Sequence, residues 1–373
     1  MSDARTTHPE ATGDASRHLH VRVMHRLSAA LADLFLPGQA RLTDWQRSTM
    51  AALLAKLIRS IEDELRVRLA KRFPAEEFAG LHAALTASHV EIALPILERS
   101  RALHDNDLVS LLFRRVEEHR LSRSTHSPLI AQGSLLLELV RDSDEQVAEA
   151  AMAVLIRQNR RLDAFQEPLF ASADLPAELE HGLVWRIAAA LRSYIVDRHS
   201  VAPTLADRAI AAAAGRRLSS YDECDALEAR ALMLARRLAD LERLDDDLVV
   251  RTLADAGLPL MLAALAIRCD LAVDAVWEIA CDPGEGGAPL LMRAARLGRV
   301  HAGQLLSALA AGTGGADERL VHQLDLFDTT SVQEARSALQ LWRIDPSYRA
   351  AIARLYPPPF ERRLSPPAVE QRV

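Results

Sequence analysis

Lysine is almost missing from this 373-residue chain: Lys56 and Lys71 are the only two among 45 basic residues, and the rest are arginine. Chemistry that needs a lysine nucleophile therefore has two candidates, both on one helical segment. Compositional bias is the simpler reading of the imbalance. Cysteine is sparse too. Cys224, Cys269 and Cys281 form no CxxC pair, and an odd, scattered set fits reduced core thiols in a reducing compartment. No Gly-Lys pair occurs, which excludes a P-loop, and HExxH, GxSxG and GxGxxG are missing as well. No run approaches the ~18 uninterrupted apolar residues of a membrane span. Met1 to Arg17 lacks the apolar centre of a secretory signal, so a cytoplasmic location is expected. Alternating Val/Ile/Thr runs and Asn-Gly hairpin signals are nearly absent, which argues against strands.

What remains is 49% hydrophobic and 26% charged, with aromatics at only 4%. Leu/Ala cores with few aromatic or β-branched residues favour helix packed on helix. The net charge of −6, with arginine interleaved among acids, argues against a general nucleic-acid binder.

Hydrophobic spacing then divides the chain. Residues 1–17 are expected to be disordered, and 18–73 to form an N-terminal helical hairpin that is a candidate for self-association. Its first helix runs over 18–35. The second opens at Thr43 or Asp44 and carries Met50, Leu54, Leu57, Ile61, Leu65 and Leu69 at spacings of three and four until Pro74. At roughly 28 residues it is far above the ~11–12 typical of globular proteins. From Ala75 short helices follow one another, in regions 75–200 and 203–355, before a Pro-rich tail at 356–373. Such helices cannot bury an apolar stripe alone, but stacking in pairs does so. No strict period is present. The expected fold is all-α: stacked helical hairpins in a degenerate HEAT-like solenoid with a long N-terminal helix.

Candidate chemistry is thin. Glu178-Leu179-Glu180-His181 contains one ExxH spacing, but bundle metal sites need two such motifs and further acids. His104-Asp105-Asn106-Asp107 and Asp245-Asp246-Asp247 each precede a helix, and helix capping is the simpler reading of both. The Gly-rich loop at 283–289 has no basic residue before Arg293, so loop flexibility is favoured over anion binding. Arg114, Arg115, Arg120 and Arg123 form one basic cluster, and Arg157, Arg160 and Arg161 another. Solvated helix ends are the simpler reading of both; the alternative is an acidic partner or RNA phosphates, without interleaved aromatics for base stacking. Trp185 and Trp277 are expected in the core, and Trp45, near a helix start, as a partly exposed interface anchor.

Several segments resemble the alphaproteobacterial family known as domain of unknown function 2336. They are Leu42-Thr43-Asp44, Leu57-Ile58-Arg59-Ser60-Ile61-Glu62, Val67-Arg68-Leu69-Ala70 and Val90-Glu91-Ile92-Ala93-Leu94-Pro95-Ile96-Leu97-Glu98-Arg99-Ser100, followed by Leu103 and Asp105-Asn106-Asp107-Leu108. The resemblance covers most of 40–355, best over 42–125, and implies HEAT-like packing with no assigned reaction. The functional expectation is a non-catalytic scaffold that binds a protein partner, in bacterial signalling or regulation, with no cofactor and no metal. Its partner-binding residues are expected to be Trp45, Arg59, Arg66, Arg114, Arg115, Arg120 and Arg123, with a homodimer as a further expectation. The alternatives are a nucleic-acid-binding HEAT-like protein, which needs a continuous basic groove, and a metal-dependent enzyme using Glu178, His181 and His104.

Overall fold

The computed structural model describes residues 42–125, 135–162, 167–170, 174–222, 226–253, 257–280, 286–310 and 316–355. The expected N-terminal segment 1–17, the helix over 18–35 and the tail at 356–373 lie outside them. From Ser48 onward the chain forms one compact unit. Among the described residues the architecture is all-α, and pairing of extended backbone is confined to one isolated bridge between Leu162 and Pro168.

The long helix is α1, Asp44–Ala70. Thr43 opens it with a reciprocal cap: its hydroxyl accepts from the Gln46 amide at 3.1 Å, and Gln46 Oε1 accepts from the Thr43 amide at 2.7 Å. Met50, Leu53, Leu57, Ile58, Ile61, Leu65 and Leu69 are buried along it, and Leu53 takes the place expected for Leu54. Short helices follow: α2 Ala75–Thr86, α3 Ala93–Ser100, α4 Asn106–Thr125, α5 Leu135–Leu139 and α6 Glu145–Asn159. Pro95 falls in the first turn of α3, where its missing amide costs nothing. Segment 162–170, expected as a weak helix, is extended where described, with the Leu169 amide bonded to the Arg161 carbonyl at 2.7 Å.

Next come α7 Ala177–His199, α8 Pro203–Leu218, α9 Leu227–Asp240, α10 Asp246–Arg251 and α11 Leu258–Cys269. The series continues with α12 Val273–Ala280, α13 Gly287–Ala294, α14 Arg299–Ala310, α15 Ala316–Thr329 and α16 Val332–Ala338. A 3-10 turn at Gln340–Arg343 and α17 Pro346–Leu355 end the described chain. Stacking is not strictly sequential. Helix α8 pairs with α7, which lies against α2 and α3, while α9 returns to pack on α6 and then on α11.

Helix α11 explains how the pile coheres. It is apolar on all sides and nearly every residue is buried, as expected for a helix at the centre of a core. Leu260 and Ala263 face a cluster built by α5, α6 and α9. Met261, Leu262, Ala264 and Leu265 face a second cluster built by α12, α13 and α14, with Phe327 and with Leu121 of α4. One helix thus serves two cores.

Candidate functional site: an interior arginine–carboxylate network and the surface around it

The polar residues of α4 are set by its cap. Asp105 accepts from the Asp107 and Leu108 amides at 3.1 and 3.3 Å, as expected, and also from Arg186 of α7 at 2.7 Å. Those bonds, above all the Arg186 guanidinium, hold the Asp105 carboxyl below its usual range. Further along α4, Arg114, Arg115 and Glu118 turn inward. Arg161 arrives from the end of α6, Asp174 from the turn before α7, and Glu228 from the first turn of α9.

These six side chains form one network. Arg161 donates to Asp174 at 2.8 Å, to Glu228 at 2.6 Å and to Glu118 at 3.2 Å. Arg115 reaches Glu118 at 2.5 Å and lies 3.8 Å from both Asp174 and Glu228. Arg114 is 3.8 Å from Glu228 and donates to Asp274 at 2.7 Å. Two guanidiniums also stack on rings, Arg114 over Trp277 and Arg115 over Phe170. Burial alone would push the Glu228 carboxyl up, but the guanidiniums of Arg161, Arg115 and Arg114 outweigh it and hold the group far below the usual carboxylate range. Burial likewise opposes charge on Arg161, and Glu228, Glu118 and Asp174 more than restore it. The network joins four segments and keeps Arg161 and Glu228 in their charged states.

A second polar device sits on α1. Glu62 and Arg66 are one turn apart and both buried. Glu62 accepts from the Ile92 and Ala93 amides at 3.1 and 2.9 Å, at the start of α3. Arg66 donates to the carbonyls of Ala84, Leu85 and Val90 at 2.7, 3.0 and 2.8 Å, and to that of Ala87. An acid thus meets a helix N-terminus and a base meets a helix C-terminus, matching the helix dipoles and the unpaired backbone groups of both ends.

A third ion pair is more finely balanced. Glu180 of α7 has no exposed surface and faces Arg217 of α8 at 2.7 Å, while Arg217 also reaches Glu64 at 3.1 Å. Burial pushes the Glu180 carboxyl up, Arg217 pulls it back and Glu64 pushes it up again, leaving it raised to about 7.

These positions correct part of the expected partner-binding set. Arg66, Arg114 and Arg115 are buried and engaged within the chain, so they do not form an outward basic patch. Arg161 of the second basic cluster is buried with them. Arg120 is half-buried and donates to Glu117 at 2.8 Å. Arg123 lies on α4, but its side chain is outside the described residues. Arg59 is exposed and pairs with Glu91, and Trp45 is 39% exposed. Trp277 is in the core as expected, whereas Trp185 is exposed and donates to His181 at 3.1 Å. Glu178, His181 and His104 all stand on the surface. Among the described residues no three His, Cys, Asp or Glu side chains converge as a metal ion would require. In the sequence Asp174 carries only a helix-start signal and Glu228 none, because nothing local marks an acid whose partners lie on other segments.

The outer surface carries isolated apolar side chains. Met152 and Ile156 project from one face of α6 at a spacing of four, and Met233 is exposed on α9, which packs on α6. Val300 on α14 and Val321 on α15 are also exposed.

Helices that pair to share cores, with one apolar helix bridging two of them, define an all-α helical-repeat protein. The chain belongs to the family described as "uncharacterised protein conserved in bacteria (DUF2336)", whose model matches residues 92–340. Segment 42–91, part of the stretch that carried the resemblance most strongly, lies before the match. No curated protein and no solved structure gives a significant match. Among the described residues no helix is long and apolar enough to cross a membrane.

Proposed function

We propose that the protein is a non-catalytic helical scaffold that binds a protein partner, in bacterial signalling or regulation. The observation that carries this reading is the pairing of apolar exposure with polar containment. Met152 and Ile156 lie side by side on the outside of α6, while Arg66, Arg114, Arg115 and Arg161 are spent on internal bonds. Exposed methionine and β-branched side chains on a rigid helix are suited to packing against a partner.

The test is affinity capture from the native bacterium with wild-type protein and with Ile156→Asp. The reading expects a distinct protein held by the wild type and lost from the variant. Equal recovery by both, or no specific recovery, refutes it. Self-association belongs to the same reading and would use the outer face of α1, where Arg59 and Val67 are exposed. Light scattering that reports a strict monomer at micromolar concentration removes that part.

A further inference from the structure

A cavity of about 350 Å³ opens between the end of α13, helix α16 and the 3-10 turn that follows. Arg296, Arg336 and Arg343 line it together with Gln333, Ser337 and Gln340, and no Asp or Glu is among its lining residues. That is unusual in a chain with 51 acidic residues against 45 basic ones. In the interior network, by contrast, Arg114, Arg115 and Arg161 gather around the shared carboxylate of Glu228. Around this cavity the three guanidiniums have no carboxylate at ion-pair distance among the described residues.

Two of them are anchored from behind. Arg336 Nε donates to the Ala294 carbonyl at 3.3 Å, at the end of α13, and Arg343 donates through Nη2 to the Cys269 carbonyl at 3.1 Å, at the end of α11. Each bond occupies one donor of a five-donor fork and limits its swing, so the remaining N–H groups stay near the cavity and are open to a ligand. Like charges gathered around a concave space raise one another's energy, and an anion inside relieves that cost.

We propose that this cavity binds a phosphomonoester carried on a small polar molecule. A tetrahedral dianion offers enough oxygens for three guanidinium forks, whereas one carboxylate is filled by one or two. Gln333, Gln340 and Ser337 add neutral donors and acceptors suited to the hydroxyl groups of a sugar-like remainder. With no aromatic residue in the wall, a stacked nucleobase has no platform. The volume stands at the small end of the ~300–1,000 Å³ range of small-molecule sites. The site is independent of the scaffold reading.

The experiment is titration calorimetry of the full chain with ribose 5-phosphate, with ribose, and with a phosphoserine peptide, repeated on Arg296→Gln and Arg336→Gln. Arg296 is exposed, so its variant is expected to fold, and circular dichroism checks this for both. Saturable binding of a phosphomonoester, no heat from ribose and about tenfold weaker binding in each variant support the site. Within that result, preference for the sugar phosphate supports the small polar ligand, and preference for the peptide overturns that part by making a modified protein the source of the phosphate. Absence of binding at millimolar ligand, or binding that both variants leave unchanged, overturns it.

Discussion

Arg161 and Glu228 are 67 positions apart in the chain and meet at 2.6 Å inside the protein. Their contact closes α6 onto α9 and is backed by Glu118 and Asp174. Taking Arg161 away leaves three carboxylates in the interior with too little positive charge. Removing one partner of a buried ion network costs about 3–5 kcal/mol, so Arg161→Ala is expected to lose a large share of a typical domain's stability of about 5–15 kcal/mol. Arg299→Ala, which removes an exposed pair with Asp328, is expected to stay within about 0.5 kcal/mol. Urea unfolding of both variants compares them directly, and equal losses would show that the interior network contributes nothing special.

Arg66 makes a different prediction because, besides the Glu62 carboxylate at 3.3 Å, its acceptors are neutral carbonyls held in a fixed pattern around a planar fork. Arg66→Lys keeps the charge but has three donors on a single atom for carbonyls of Ala84, Leu85, Ala87 and Val90. A loss of about 2–3 kcal/mol is expected for lysine, and a larger one for Arg66→Ala. Thermal melting checks the order, and a lysine variant as stable as wild type would contradict it.

Glu180 gives a pH dependence whose sign is opposite to that of most carboxylates. Its folded-state group titrates near 7 against an ordinary 4.5, so between those values the folded protein binds a proton that the unfolded chain does not. Stability from this group is therefore full at low pH and declines as pH rises through 7. Glu180→Gln removes that titration, so the variant should gain on wild type between pH 5 and pH 8, by on the order of 2 kcal/mol. Unfolding free energies of both proteins at four pH values across this window test it, and parallel profiles would refute it.

Gly257 opens the central helix α11 with φ +83° and ψ 173°, a region that side-chain-bearing residues rarely enter. An added Cβ would also stand 3.3 Å from Gln158 Nε2. Gly257→Ala is expected to destabilise the fold by about 1–3 kcal/mol, whereas Gly215→Ala, within α8 and with open space around its Cβ, should be neutral or stabilising. A melting-temperature comparison of the two alanine variants separates backbone strain from the general effect of replacing glycine.

The sequence by itself determined the elements. Apolar residues at spacings of three and four, Thr43, Asp105, Asp144 and Asp245 at helix starts, and Pro74 at a helix end specify most of the helices, because caps and periodicity act within a few residues. Those same local signals give the all-α class and place Trp277 inside. Tertiary structure alone decided which arginines face water. Arg66, Arg114, Arg115 and Arg161 resemble surface residues in sequence, but their partners come from other helices, and Coulomb attraction depends on distance in space rather than along the chain. The same holds for the cavity of Arg296, Arg336 and Arg343, which exists only because α13, α16 and the 3-10 turn after α16 come together in three dimensions.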